Sequence, residues 1–322
     1  MNPAREESGQ STKADPNRVE KRGCPVKFLE GSSVGSSNED LSVKGSCLCG
    51  AVRYEVGSPL GTMIHCHCSM CRKHHGTAFA TFVGAPLAGY RLTAGANHIA
   101  EYPSSPGSHR YFCRICGSTT PTVVKSMDMV FCPAGNLEGD LDVRPSAHYF
   151  VGSKAPWYEI TDSLPQFVEY PPEFGGGGIQ QPERELSEGF VTGSCLCANV
   201  AFKAEGSPIR FTNCHCTRCR RGRSAAHASN FFCSVDKFSF VRGEASITDY
   251  RVPEAKFFTV AFCNRCGGAA PRISRERGIV VIPAGILDSD PGCAPTSHIF
   301  VGSKANWFDI TDSLQQHVEM FS

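Results

Sequence analysis

The chain has 322 residues, enough for two domains. Its 32 Lys and Arg balance 31 Asp and Glu, so no net field draws it to nucleic acid or to an anionic membrane. No run reaches the ~18 apolar residues of a membrane span, and the opening segment MNPAREESGQSTKADPNRVEKRG has no apolar core of the signal-peptide kind. The expectation is a cytoplasmic protein in a reducing compartment, with a small-molecule partner, no nucleic acid and no membrane. In that setting eighteen cysteines read as metal ligands or catalytic groups before they read as disulfides.

Residues 1–43 are polar, rich in Ser, Asn and Glu and electrically neutral, which predicts a disordered tail. From 44 to 170 the apolar segments are short and broken by Gly or Pro. AVRYEV, AFATFV, HRYFC, MVFCPAG and AHYFVG read as strands. Short helical pieces are expected around SMCRKHH and ITDSL. Residues 171–189, PPEFGGGGIQQPERELSEG, read as a flexible linker. From 190 to 322 the pattern returns, with VAFKAE, SNFFCSV, FTVAFC, GIVVIPAG and SHIFVG as the matching strands.

The return is a duplication. GSCLC occurs at 45–49 and at 193–197, HCHCSMCR (65–72) returns as NCHCTRCR (213–220), and FCRICG (112–117) as FCNRCG (262–267). Residues 146–170 and 296–320 share 16 identities in 25, including FVGSKA, a Trp and ITDSL. The offset changes from 148 to 150 along the chain, so one two-residue insertion separates the cysteine clusters of the second copy. Solenoid repeats are far shorter than these units. The prediction is two tandem domains, mainly β, each built of small antiparallel sheets.

The cysteines sort into two sets per unit. Cys47 and Cys49 go with Cys113 and Cys116, and Cys195 and Cys197 go with Cys263 and Cys266. Two cysteines at i and i+2 on a strand would face the same way, and a C-x-x-C turn puts two sulfurs on one side of a loop. Gly117 and Gly267 follow, where a turn needs φ > 0. Four thiolates around one divalent ion make a closed structural zinc site, of a kind that supplies about 10–16 kcal/mol in zinc fingers. The bland alternative is two buried clusters of free thiols.

The second set is Cys66, Cys68 and Cys71, repeated as Cys214, Cys216 and Cys219. Three thiolates leave a tetrahedron one ligand short, the mark of a catalytic zinc. His65 and His67 should alternate away from the metal on a strand. His74 and His75 could reach back as a fourth ligand, but unit two has Arg223 and Ser224 nearby, so the site is expected to be open or exchangeable. Cys24, Cys132, Cys233 and Cys293 lie outside both sets; Cys132 and Cys233 read as small core residues with no matching partner in the other copy.

On these motifs the chain resembles the glutathione-dependent formaldehyde-activating enzyme family, also called the centromere protein V type. The family's G-x-C-x-C-G-x-V-x-Y appears as GSCLCGAVRY, C-H-C-x-x-C-R-K-x-x-G as CHCSMCRKHHG, followed by FCRICGS, PAG-x-L and HYFVGSKAPWYEI. The resemblance covers both units. It implies a β-tent fold, a four-cysteine structural zinc and a three-cysteine active-site zinc in each unit, hence four zinc ions per chain. It also implies carbon–sulfur lyase activity with glutathione as co-substrate, in the reversible formation of S-hydroxymethylglutathione.

A tripeptide with two carboxylates needs cations. Arg72, Lys73 and Lys154 are the candidates in unit one, with Trp157 as a pocket wall or a core residue. Arg220, Arg221 and Lys304, with Trp307, are their second-unit counterparts. Each cation could equally be a solvated surface charge. Unit two keeps all seven cysteines but reads RRGRSAAHASNFF where unit one reads RKHHGTAFATFV. Two further functions stay open: a pathway-specific lyase on another thiol adduct, and a non-catalytic zinc-stabilised binding protein. Neither the substrate nor the oligomeric state follows from the sequence.

Overall fold

A computed structural model describes residues 42–172 and 189–320. The tail expected over 1–43 and the linker expected over 171–189 therefore lie outside the described residues, except at their edges. Ser42 and Val43 already belong to the first strand.

Unit one runs β1 (Ser42–Ser46), β2 (Arg53–Gly57), β3 (Met63–Cys66), α1 (Ser69–His75), β4 (Ala80–Pro86), β5 (Tyr90–Ala94), β6 (Ile99–Ser105), β7 (Ser108–Cys113), β8 (Thr122–Val124), β9 (Met129–Pro133) and β10 (Pro145–Tyr149). Unit two repeats the order as β11 (Phe190–Ser194), β12 (Ala201–Glu205), β13 (Arg210–Cys214), α2 (Thr217–Arg223), β14 (Ala228–Ser234), β15 (Phe238–Arg242), β16 (Ile247–Arg251), β17 (Thr259–Cys263), β18 (Arg272–Ser274), β19 (Ile279–Pro283) and β20 (Ser297–Ile299). A short β21 (Gln315–Gln316) extends its main sheet.

Each unit holds three small sheets. The first is a meander, β1-β2-β5 or β11-β12-β15. The second is the main sheet, β10-β3-β4-β9-β8 or β18-β19-β14-β13-β20-β21, and the third is a lone hairpin, β6-β7 or β16-β17. Pairing is antiparallel throughout except where β10 lies parallel to β3, and β20 parallel to β13 and β21. The helices carrying the cysteines form as expected, each a short piece of about two turns. ITDSL does not form one. Asp162 instead accepts the Leu164 N–H at 2.9 Å and the His148 imidazole at 3.0 Å, and Asp312 repeats both contacts with Leu314 and His298. An aspartate that bonds the backbone two residues on favours a turn over a helix.

The two units share one hydrophobic core, which includes Phe79, Trp157 and Ile282 as well as Phe211 and Trp307. They interlock reciprocally. Gly285, in the turn after β19, packs against α1, and a Cβ there would fall 2.4 Å from the Arg72 carbonyl oxygen and the Thr77 nitrogen. Gly135, in the turn after β9, does the same to α2, where a Cβ would fall 2.2 Å from the Ala225 nitrogen. Lys73 pairs with Asp288 at 2.6 Å and donates to Ser194 at 2.7 Å. Arg221 pairs with Glu138 at 2.8 Å and donates to Ser46 at 3.0 Å. These are the same three positions with the units exchanged.

The last carbonyls of both helices are also capped from the other unit. The Ala269 N–H donates to the Lys73 carbonyl at 3.1 Å, and the Ser118 hydroxyl donates to the Arg221 carbonyl at 2.9 Å. Helix ends leave such acceptors unmet, so each helix depends on the opposite unit.

Overpacking a tight contact costs about 1–3 kcal/mol. Gly135→Ala and Gly285→Ala should each destabilise the full chain by that amount, read as a lower denaturation midpoint. An unchanged midpoint in both would contradict the interlock.

Candidate metal centres

The four sulfur groups expected from spacing are assembled. Cys47, Cys49, Cys113 and Cys116 form one group, and Cys195, Cys197, Cys263 and Cys266 form its copy. Cys66, Cys68 and Cys71 form a third, and Cys214, Cys216 and Cys219 its copy. Within each group all sulfurs lie within 4.8 Å of one another, and the described metal-capable groups hold cysteine only.

Local structure explains each placement. Cys47 and Cys49 do not sit on a strand, contrary to the i, i+2 reading. They occupy the turn after β1, with their sulfurs 3.4 Å apart. The Leu48 N–H between them is held by Ser118 at 3.1 Å. Cys113 ends β7, and the C-x-x-C turn closes through Gly117 at φ 74, matched by Gly267 at φ 67. A side chain at either glycine would also strike a ring of the other unit, Phe262 or Phe112.

In the three-cysteine group Cys66 ends β3, Cys68 caps α1, and Cys71 lies in its first turn. The capping thiol accepts the Cys71 N–H at 3.3 Å, as Cys216 accepts the Cys219 N–H at 3.4 Å.

These groups fit a tetrahedral thiolate metal. Zinc–sulfur bonds of ~2.3 Å put neighbouring sulfurs about 3.8 Å apart, and the tightest pairs of the four-sulfur groups lie near that value, from 3.4 Å for Cys47–Cys49 to 3.9 Å for Cys197–Cys263, with every sulfur of a group within 4.8 Å. Backbone N–H groups of Val52 and Val200 point at Cys47 and Cys195 from 3.3 Å, as suits anionic sulfur. Hydrogen bonds from Cys66 and Cys68 hold the Cys71 thiol well below its usual range, with the Arg110 charge adding to them. In unit two, bonds from Cys214 and Cys219 bring Cys216 down to about 3. Each three-cysteine group thus favours one thiolate before any metal is counted.

The histidines do not join the sulfurs. His65 bonds Thr81 at 2.8 Å. His67 bonds His148 at 2.8 Å, and His148 bonds Asp162, a chain that unit two repeats as His215, His298 and Asp312. Asp162 accepts from Nε2 of His148, so neutral His148 offers its Nδ1 lone pair to the His67 Nε2–H. That chain is what the shared HxFVGSKA and ITDSL strings encode, and the repeated text was its only signal. His74 and His75 are buried on α1. His75 meets the Arg223 carbonyl of unit two at 2.8 Å instead of reaching back to the sulfurs.

The expected substrate contacts are placed as follows. Arg72 is buried, with Nε donating to the His67 and Ser153 carbonyls. Lys154 donates to the Tyr158 carbonyl at 2.5 Å. Lys73 is the inter-unit partner of Asp288. Trp157 is buried in the shared core against Phe211. Arg221 pairs across the units, and Trp307 is buried like Trp157. The sequence reading missed Arg110, whose two guanidinium nitrogens lie 3.6 and 3.7 Å from Cys71 Sγ.

The glutathione-dependent formaldehyde-activating enzyme family model matches residues 42–153 and again 190–303. The chain belongs to that family. It is a tandem duplication of the family domain, each copy built of small antiparallel sheets. A Halomonas elongata protein named "Putative glutathione-dependent formaldehyde-activating enzyme" is 33% identical over 145 residues, which cover 91% of that protein and 41% of this chain. A Rhodobacter sphaeroides protein of known crystal structure is 31% identical and is matched over 88% of its length and 30% of this chain, with a TM-score of 0.26. Among the described residues no helix is long and apolar enough to cross a membrane.

Burial has a pH consequence. It lowers the imidazole pKa of His75 to about 4 and of His227 to about 3. Unfolded histidines titrate near 6.5, so between these values the unfolded chain binds more protons. Stability is then complete above about pH 6.5 and falls as pH drops, by ~1.4 kcal/mol per unit for each such histidine. Denaturation midpoints at pH 7.5, 6 and 5 should decline in that order. His227→Gln should flatten the decline, and an unaltered slope would contradict the assignment.

Proposed function

We propose that the protein is a zinc-dependent enzyme of carbon–sulfur lyase type, acting on glutathione or a glutathione-like thiol adduct. One observation carries the reading: each unit pairs a four-sulfur group with a three-sulfur group that has no fourth candidate ligand among the described residues. A zinc bound by three cysteines supplies Lewis acidity at its open position, able to lower a thiol pKa or polarise an aldehyde oxygen.

The reaction class joins thiol sulfur to aldehyde carbon, with the thiol proton passing to the aldehyde oxygen, or runs the reverse. The chain's own part is to hold the three sulfurs on a strand end, a helix cap and the first turn of that helix. The carboxylates of the substrate fall to Arg72 or Lys154 in unit one, beside the cluster. Lys73 would have to leave Asp288 to take part, which argues for an interface role. The four-sulfur groups fold their units, as closed sites do.

The changed segment in unit two supports a second reading, a dedicated lyase acting on another thiol adduct. Its α2 carries Gly222 and Arg223 where α1 carries His74 and His75.

Metal analysis should find four zinc ions per chain, two of them resistant to chelation. Cys68→Ser should abolish turnover of S-hydroxymethylglutathione while the chain stays folded, whereas Cys113→Ser should unfold unit one. Full activity in Cys68→Ser would end the catalytic reading. A screen of glutathione adducts against wild type, Cys68→Ser and Cys216→Ser would assign a substrate to each unit.

A further inference from the structure

Arg110 stands on β7, paired across the hairpin with Tyr102. Two of its guanidinium nitrogens face Cys71 Sγ, at 3.6 and 3.7 Å, and its Nε is sealed from solvent without a partner. Among the described residues no carboxylate lies within salt-bridge distance of it. A guanidinium is always charged, so its counter-charge has to come from the sulfur it touches. His74, further along the same helix, is held neutral by its burial, with the Arg110 charge adding to it.

Unit two breaks the symmetry at this point. The position matching Arg110 is Val260, three residues before Cys263 as Arg110 is three before Cys113. Val260 is buried and packs against Gly222, the counterpart of His74. Arg223 and Arg272 stand in the same region, but among the described residues neither hydrogen-bonds a cysteine sulfur. The two three-cysteine groups therefore have the same ligands and different contacts: a guanidinium touches Cys71 directly, whereas Arg223 and Arg272 reach Cys219 only through space and valine takes the place of Arg110.

We propose that Arg110 is the charge-balancing partner of the first three-cysteine metal centre, and that it makes this centre hold metal more tightly and react more slowly as a nucleophile than its copy in unit two. Three thiolates and one divalent ion carry a net negative charge. N–H···S bonds from a guanidinium stabilise that anion and draw electron density from Cys71, and partners of this kind are worth about 10–100-fold in metal affinity. Arg110 touches a ligand and not the reacting atoms, so it is a positioning residue. The inference rests on the metal reading given under Proposed function.

The test is a titration of the zinc-loaded full chain with a chromophoric chelator, with iodoacetamide labelling and mass spectrometry to locate the released sulfurs. In wild type the Cys214, Cys216 and Cys219 set should lose metal and be alkylated first. The Cys66, Cys68 and Cys71 set should follow at about 10–100-fold higher chelator demand. Arg110→Met and Arg110→Gln should bring the two events together, and Arg110→Lys should keep most of the separation. Simultaneous release in wild type would overturn the proposal without any variant, as would an unchanged order in Arg110→Met. Absence of metal from both three-cysteine sets in wild type would instead overturn the metal reading itself.

Discussion

Crowded sulfur is the constraint on which this structure depends. Fourteen cysteines gather in four groups with their sulfurs within 4.8 Å, and each group is the centre of its own small apolar cluster. Thiolates packed so closely repel one another unless a cation stands among them. The sheets around them are short, and a lone two-stranded hairpin such as β6–β7 is marginal by itself. A metal held there would tie the end of β7 to the turn after β1 and fix that hairpin against the meander, coupling metal binding to folding.

The second constraint is reciprocal. Each unit sends a Pro-Ala-Gly turn into the helix that carries the other unit's three-cysteine group, and each caps the other's last helical carbonyls. The Lys73–Asp288 and Arg221–Glu138 pairs repeat the same contact from both sides. Duplication has placed in one chain an interface with the internal symmetry of a homodimer, in which identical patches meet. Symmetry of the frame does not extend to the chemistry. Arg110 against Val260, and His74 against Gly222, set the two three-cysteine groups in different surroundings inside one scaffold.

Much of this was legible in the sequence because metal ligands obey spacing. The C-x-C, C-x-x-C and C-x-C-x-x-C strings gave all four groups, and the repeat gave the two units. Alternating apolar text located most strands, and SMCRKHH gave α1. The failures have physical causes. ITDSL looked helical, but Asp162 bonds backbone and imidazole in a turn, which pattern alone does not reveal. Cys47 and Cys49 sit in a turn because Ser118, distant in sequence, holds Leu48. Lys73 looked like a substrate contact because its partner Asp288 lies 215 positions away in the other copy. Arg110 left no motif at all, since its contact with Cys71 arises only when the β6–β7 hairpin folds over α1.

Zinc K-edge absorption on the fully loaded chain tests the central claim most directly, because it counts the atoms around each metal. Two closed and two open centres predict an average of about 3.5 sulfurs per zinc at ~2.3 Å, with an oxygen or nitrogen completing the shell. Adding glutathione should raise the sulfur count toward four. A count of four sulfurs before any thiol is added, or one that glutathione leaves unchanged, would contradict an open three-cysteine centre that receives the substrate.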